Sequence, residues 1–234
     1  MNLPKIDQPL FELTIPTSGQ TVSFRPYTVK EEKILLIAQE SKDIDQIILS
    51  TKQVISNCFE GVNVDELSMF DIEYMMLKVR AQSVNNMVEF KIQDPDTKEE
   101  IELSLDLNDI EIKKDPNHNR LIKLNDTISV YMNYPMYDSV TAITDAAEKD
   151  RKVILFDAMM NSIGQIIDGE EVFQAKHVPK EELKAFIENI PSPKIKEFKE
   201  FFETTPKLRF EIPYTNSNGD KKTFVSEGLK SFFL

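Results

Sequence analysis

The chain begins with two short stretches in which apolar and polar residues alternate, residues 10–15 and 21–25. A period of two is typical of strands that bury one face, and the turn residues between the stretches predict a β-hairpin. Pro26 removes a backbone donor, which ends strand pairing. Thr28 stands three residues before Glu31, and this capping box predicts a helix directly after the strand.

Helical spacing of apolar residues continues to about residue 83. The first helix is predicted to bury four apolar residues, Ile34, Leu35, Ile37 and Ala38. A second helix is predicted over residues 43–58. A third begins near Ser68 and has apolar stripes on two sides, which predicts burial on both sides.

From Met87 the period changes to two, and the middle of the chain is predicted to be an antiparallel meander. A polar tip around Asp94 and Asp96 joins its first two strands. The spacing after Asp94 does not fit an EF-hand loop, so a solvated hairpin tip is predicted. The meander strands are predicted at residues 87–93, at 99–105, around Ile110 and Ile112, at 120–124 and at 127–133.

From about Met136 the pattern is helical again. One long helical stripe is predicted to contain Leu155, Met159, Ile163 and Ile166, and it is followed by a loop at 168–176. Two further helices are predicted to begin near Pro179 and Ser192. The last predicted elements are a hairpin at 207–213 and 222–226, which turns at Asn218-Gly219, and a short helix at 229–233.

These elements predict an α+β fold of antiparallel β-hairpins and a meander, with helical segments packed around them. Four segments are predicted within one family-level domain. They are an N-terminal hairpin with three helices (1–85), the β-meander (86–135), a helical region (136–206) and a C-terminal hairpin with a short helix (207–234).

Composition narrows the classes of partner. The 234 residues include 28 basic and 40 acidic side chains, and the net charge of −12 argues against binding to nucleic acid or to anionic membranes. No apolar run approaches the roughly 20 residues of a membrane span. The N-terminal residues lack the apolar core of a signal peptide, so a cytoplasmic protein is expected.

Candidate chemistry is sparse. No phosphate-binding glycine loop and no nucleophile-elbow motif occurs in the sequence. Cys58 is the only cysteine and closes an apolar helical stripe, which favours a buried structural thiol. His118 and His177 both stand in polar segments and are interpreted as surface histidines. No catalytic residue, cofactor or metal site is predicted.

Aromatic residues near the C-terminus give one candidate surface. Seven of the 15 phenylalanines fall in residues 195–234. A helix at 193–204 is predicted to bury Ile195, Phe198 and Phe202, and Phe201 lies one step round the helix from this stripe. We expect Phe201, Phe232 and Phe233 to lie together at a surface that meets another protein or a second copy. The alternative is a helix wedged between two layers, which buries both of its sides.

The corner between the first hairpin and the first helix gives a second candidate. Arg25 and Tyr27 are residue types favoured at protein interfaces, so they are candidates for contact with a partner. In the alternative interpretation the corner is structural. Pro26 then ends the strand, Thr28 caps the helix, and the Arg25 head stays in water while its stem packs nearby.

Several blocks of the sequence resemble a T4-like phage baseplate family, which contains hub assembly proteins of contractile tails. These blocks are LPKIDQPLFELTIPTSGQTVSFRPYTVKEEKILLIA, DIEYMMLKVRAQSV, DLNDIEI, FFETTPKLRFEI and EGLKSFF. The resemblance implies a non-enzymatic, chaperone-like assembly factor that binds baseplate hub proteins in the bacterial host cytoplasm. One alternative is a permanent structural subunit of the baseplate in the virion. Another is a wall hydrolase that uses two carboxylates.

Overall fold

A computed structural model describes residues 4, 6–136 and 151–227. All strand pairs in these residues are antiparallel, so the predicted α+β class is confirmed. The helices are α1 (Val29–Ser41), α2 (Ile44–Cys58), α3 (Met69–Ser83), α4 (Arg151–Ser162), α5 (Lys180–Glu188) and α6 (Ile195–Thr204).

The strands of the described residues form four small sheets. They are β1 (Phe11–Thr14), β2 (Thr21–Phe24), β3 (Met87–Gln93), β4 (Glu100–Asp106), β5 (Ile112–Lys113), β6 (Leu121–Lys123), β7 (Ile128–Met132), β8 (Ile163–Asp168), β9 (Glu171–Gln174), β10 (Lys207–Thr215) and β11 (Lys221–Glu227). The sheet orders are β1-β2, β3-β4, β11-β10-β5 and β6-β7-β8-β9.

The packing of the chain gives two compact units. Unit 1 comprises residues 1–113 and 207–234, and unit 2 comprises residues 114–206. Unit 2 is therefore inserted between β5 and β10, which pair with each other so that Lys113 lies opposite Lys207. The boundaries of the four segments predicted from the sequence follow changes of hydrophobic period and stay a prediction.

In unit 1, α3 has buried residues on both of its sides, as its two apolar stripes predict. Ser68 caps the helix and forms a capping box with Asp71. One cluster of buried side chains joins the end of α3 to β10 and to the residues around β5. Its members are Leu77, Ala81, Leu107, Ile110, Leu208 and Phe210.

The meander predicted for the middle of the chain is wrong. β3 and β4 form a hairpin of their own, β5 pairs with β10, and β6 and β7 join a sheet with β8 and β9. A period of two indicates that a segment is extended and which face is buried, but it does not specify the neighbouring strand.

In unit 2, two predictions for the segment after residue 160 are wrong. The predicted long helix ends at Ser162, and Ile163 to Asp168 form β8; the predicted loop contains β9. β-branched residues favour a half-buried pleated surface, and three isoleucines lie in β8. A Cβ atom at residue 164 would lie 2.6 Å from the Asn133 Oδ1 atom, so any residue other than Gly164 would displace the Asn133 side chain.

The last hairpin is confirmed, but its turn is longer than the predicted two residues. Thr215 pairs with Lys221, so residues 216–220 form the connection, and Gly219 adopts a φ of 85°. Any helix between residues 137 and 150, and the predicted helix at 229–233, lie outside the described residues.

Candidate functional site

The corner between β2 and α1 holds three elements of unit 1 together. Phe24 forms a bridge with Phe59, and their rings stack with centroids 5.0 Å apart. The Arg25 N–H donates to the Cys58 carbonyl at 3.0 Å, which ties the corner to the end of α2. The Tyr27 N–H donates to Ser83 Oγ at 2.8 Å, which ties it to the end of α3.

An ion pair with a buried carboxylate lies at the centre of this corner. The Glu31 carboxylate is 1% exposed and accepts Arg25 Nη2 at 3.1 Å. Its second oxygen accepts the Thr28 N–H at 2.9 Å and the Thr28 hydroxyl at 2.6 Å. Burial opposes the charge, but the hydrogen bonds from Arg25 and Thr28 outweigh it and lower the pKa of Glu31 to about 2.

These contacts support the structural interpretation of the corner. The Arg25 guanidinium stays partly exposed while it bonds to Glu31 and to the Pro26 carbonyl. Tyr27 is half-buried, and burial raises the pKa of its phenol. Contact of Arg25 and Tyr27 with a partner protein stays a prediction.

The outward side of α1 carries an apolar surface that the sequence analysis missed. Val29, Leu36 and Ile37 are 79%, 53% and 55% exposed, whereas the buried residues of α1 are Glu31 and Ala38. The predicted burial of Ile37 is therefore wrong. We name these three residues the outer face of α1; they lie on one side because seven or eight residues make two helical turns.

This arrangement departs in part from ordinary amphipathicity, although Ala38 is buried and Lys30, Lys33 and Glu40 are exposed as usual. A surface helix normally turns its aliphatic residues inward and its charged residues outward. In α1 a carboxylate is buried and three large aliphatic side chains are in water. Clustered apolar side chains of this kind mark sites of protein contact.

The expectation that Phe201 is exposed is wrong. Phe201 is 2% exposed and belongs to the core of unit 2, where its ring packs 5.1 Å from Phe202 and 5.3 Å from His118. Phe202 is partly buried against the same core, so the helix is packed on both sides. Phe232 and Phe233 lie outside the described residues, and their place at a partner surface stays a prediction.

His118 is half-buried, so its interpretation as a surface histidine is wrong. Its Nδ1 atom lies 2.9 Å from Thr204 Oγ1, and its ring stacks on Tyr134. Burial, with a smaller effect of the nearby Arg120 guanidinium, lowers the pKa of His118. A single histidine in a polar segment carries no periodic signal that could have predicted this packing.

Of the three remaining predictions for single residues, two are confirmed and one is wrong. His177 is exposed, as predicted. Cys58 is buried, which confirms the structural thiol, and burial raises its pKa to about 11. Asp94 is 0% exposed, so the predicted solvated tip is wrong at this residue.

Asp94 instead joins the tips of two hairpins of unit 1. It accepts Lys222 Nζ at 2.8 Å and the Tyr214 hydroxyl at 2.9 Å, and Lys222 also reaches Asp96 at 2.6 Å. We name these four residues the Asp94 clip. Burial opposes the charge of Asp94, but the bonds from Lys222, Thr97 and Tyr214 outweigh it and hold its pKa below the usual range.

No group of three or more His, Cys, Asp or Glu side chains that could hold a metal occurs in the described residues. Over the same part of the chain, every helix is too short or too polar to cross a membrane. Unit 2 has an open cleft of about 430 Å³ whose lining includes Asp115, Glu197 and Glu200. Glu197 and Glu200 pair with Lys194 and Lys196 at 2.7 and 3.5 Å.

The described residues thus form a small α+β fold with an outward apolar helix face, a feature that marks sites of protein contact. A family model described as "T4 bacteriophage base plate protein" matches residues 8–234. Because the match covers almost the whole chain, the chain belongs to this family, and the predicted resemblance is confirmed. No curated protein and no solved structure matches the chain.

Proposed function

We propose that this chain is a non-enzymatic, chaperone-like assembly factor that binds hub proteins of the baseplate in a contractile-tailed phage. Membership of the base plate family supports a role at the phage baseplate. The observation that carries the proposal is the outer face of α1, where Val29, Leu36 and Ile37 are exposed. A binding partner that covers this face would remove apolar surface from water, the dominant favourable term in most protein association.

Two measurements test this function. Tagged chain is expressed together with the hub proteins in the bacterial host, and we expect hub proteins to co-purify from the cytoplasmic fraction. Mass spectrometry of purified phage particles is then expected to show that the chain is absent or far below the hub in stoichiometry. Failure of every hub protein to co-purify contradicts the proposal.

The second candidate function is a permanent structural subunit of the baseplate. The description of the family as a base plate protein favours this candidate. Both candidates bind hub proteins, but a permanent subunit remains in the particle in fixed ratio to the hub. The mass-spectrometric ratio therefore separates the two.

The third candidate, a carboxylate-based wall hydrolase, has less support. Glu197 and Glu200 line the cleft of unit 2 but bond to lysines near them on the chain. A glycosidase acid must keep its proton near neutral pH, usually through an apolar environment or a second carboxylate. Lysis of purified cell wall by the wild type, lost in Glu197→Gln and Glu200→Gln, would support this candidate against the binding role.

A further inference from the structure

The four-stranded sheet of unit 2 has an open edge at β6. In the sheet order β6-β7-β8-β9, β7 is the only described strand that pairs with β6. The Arg120 carbonyl and the Leu124 N–H bond to β7 at 2.8 and 2.9 Å. Because alternate residues of an antiparallel strand bond to the same neighbour, the backbone groups of Leu121 and Lys123 point away from β7.

These outward groups are a template for a further strand. The Leu121 N–H already donates to Asn119 Oδ1 at 2.9 Å. In the described residues, no strand pairs with the Leu121 carbonyl or with the backbone of Lys123 on this side. An unpaired edge of this kind accepts an extended segment of another protein, whose backbone then continues the ladder.

The edge lies beside the open cleft of unit 2, which has a volume of about 430 Å³. Leu121 and Ile122 of β6 belong to its lining, and α6 contributes residues opposite them. The lining includes three acidic side chains, Asp115, Glu197 and Glu200, and no basic side chain. The cleft therefore favours an occupant with positive charge.

The lysines close to the cleft on the chain do not line it. Lys194 and Lys196 bond to Glu197 and Glu200 at 2.7 and 3.5 Å from outside the lining, and Lys199, the other lysine of α6, also lies outside it. A carboxylate has about four lone-pair sites, so each glutamate can accept a second ammonium group. Exposed ion pairs of this kind contribute little, so their displacement also costs little.

The two faces of β6 differ. Ile122 is buried in the same core as Phe198 of α6, whereas Leu121 and Lys123 are exposed on the other face. A strand added to β6 continues this alternation, because successive side chains of a strand point to opposite faces. Every second side chain of the added strand therefore points to the side on which α6 lies.

Glu197 and Glu200 fix the spacing of the charges that they can bind. They are three residues apart on α6, and such residues have Cβ atoms about 5–6 Å apart. Alternate side chains of a strand are about 7 Å apart on one face. Two basic residues separated by one residue can therefore each meet a glutamate, and the residue between them lies beside Leu121.

We propose that β6 and the cleft beside it bind an extended segment of another protein, which adds a fifth strand to the sheet and carries two basic residues separated by one apolar residue. Backbone hydrogen bonds hold the segment, and the acidic lining selects its side chains. The net charge of −12 attracts a basic segment at long range. The proposal does not rest on the proposed function, which is carried by the outer face of α1.

The first test measures fluorescence anisotropy of a labelled peptide, Thr-Val-Lys-Val-Lys-Val-Thr, with the purified full chain at physiological salt. We expect saturable binding. The control peptide Thr-Val-Val-Lys-Lys-Val-Thr has the same composition, but its lysines point to opposite faces when it is extended. It loses one ion pair with the cleft, so we expect it to bind about threefold more weakly.

Methylation of the peptide backbone tests strand addition directly. Two peptides carry N-methyl groups on alternate sets of residues, so that one set removes the donors that face β6 and the other removes donors that face solvent. We expect one peptide to bind at least about fivefold more weakly than the unmodified peptide and the other to bind nearly as well.

The second test removes the acidic side chains of the cleft. Glu197→Gln and Glu200→Gln are each expected to weaken binding of the Lys-Val-Lys peptide about threefold, and the double variant about tenfold. Glu203→Gln is the matched control, since Glu203 is exposed on the same helix, lies outside the lining and changes the net charge equally.

The third test blocks the edge. Proline is tolerated on an edge strand where the N–H faces away from the sheet, as at Lys123. Lys123→Pro removes this donor and is expected to weaken peptide binding at least about fivefold. Lys123→Gln controls for the charge, because loss of a lysine alone favours a basic peptide. Circular dichroism checks that each variant is folded.

Four results overturn the proposal. They are a Lys-Val-Lys peptide that does not bind, a control peptide that binds equally well, glutamine variants in the cleft that bind like Glu203→Gln, and a Lys123→Pro chain that binds like Lys123→Gln. The second and third results would show general attraction to an acidic protein, and the fourth would exclude strand addition. None of them changes the expected co-purification of hub proteins, which tests the proposed function separately.

Discussion

Glu31 shows at the scale of one residue why a charge lies on the buried side of α1. Its carboxylate is the acceptor for three hydrogen-bond donors of the corner, the Arg25 guanidinium and the N–H and hydroxyl of Thr28. We expect Glu31→Gln to lower the free energy of unfolding at pH 7 by about 1–3 kcal/mol, the usual effect of losing a charged hydrogen bond. Urea unfolding measures this change, and Glu32→Gln on the exposed side of the same turn is the control.

Acid should reduce the difference between the wild type and Glu31→Gln. The pKa of Glu31 is lowered on folding from 4.5 to about 2, so its contribution is complete above pH 4.5 and is lost as the pH falls towards 2. Urea unfolding at pH 3 is therefore expected to separate the two proteins less than at pH 7. An equal separation at both pH values contradicts the role of the charge.

Phe201 is now expected to behave as a core residue. Phe201→Ala should lower the free energy of unfolding by about 3–5 kcal/mol, the range for a fully buried phenylalanine. The neighbouring Phe202→Ala removes a partly buried ring and should cost less. Chemical denaturation of the two variants measures both values, and a smaller loss for Phe201→Ala than for Phe202→Ala would contradict the burial.

At the scale of elements, the Asp94 clip fastens the β3–β4 hairpin to the β10–β11 hairpin. Asp94→Asn keeps the shape of the side chain but leaves Lys222 without its buried counter-charge. We expect this variant to unfold at a clearly lower urea concentration than Asp96→Asn, because the Asp96 side chain is 69% exposed. Equal midpoints for the two variants would show that the clip contributes little.

The elements themselves were largely predictable, and their partners were not. Thr28, Ser68 and Asp43 mark the starts of α1, α3 and α2 because helix caps require specific residue types. In contrast, the apolar run Ile34 to Ala38 covers every side of a helix, so its periodicity could not show that Ile37 points outward. The burial of Glu31 on the inner side of α1 depends on its partly exposed partner Arg25, which lies in the preceding corner and has no periodic signature.

The same limit applies to unit 2. Ile163 and Ile166 fit a helical stripe by their spacing, but they lie in β8, where tertiary packing favours a strand. Of the candidate partner residues, Arg25 and Tyr27 lie at a structural corner and Phe201 lies in the core. Adjacent phenylalanines indicate that two sides of a helix are apolar, but not whether protein or solvent covers the second side.

At the scale of the whole molecule, unit 2 begins and ends at neighbouring positions of one β-ladder. Lys113 and Lys207 are paired residues of β5 and β10, so a two-residue Asn-Gly turn can join them as in a hairpin. We expect a variant in which this turn replaces residues 114–206 to fold, with a cooperative thermal transition by circular dichroism. A chain without such a transition would show that unit 1 depends on unit 2.

The insertion also has a consequence for synthesis on the ribosome. β5 leaves the ribosome long before its partner β10, and all of unit 2 emerges in between. Unit 2 can therefore complete its own core while α3 still lacks Leu208 and Phe210, which cover one of its sides. A chain that ends at a stop codon directly after residue 206 contains all of unit 2. Its unit 1 lacks β10, so the edge of β5 has no partner strand.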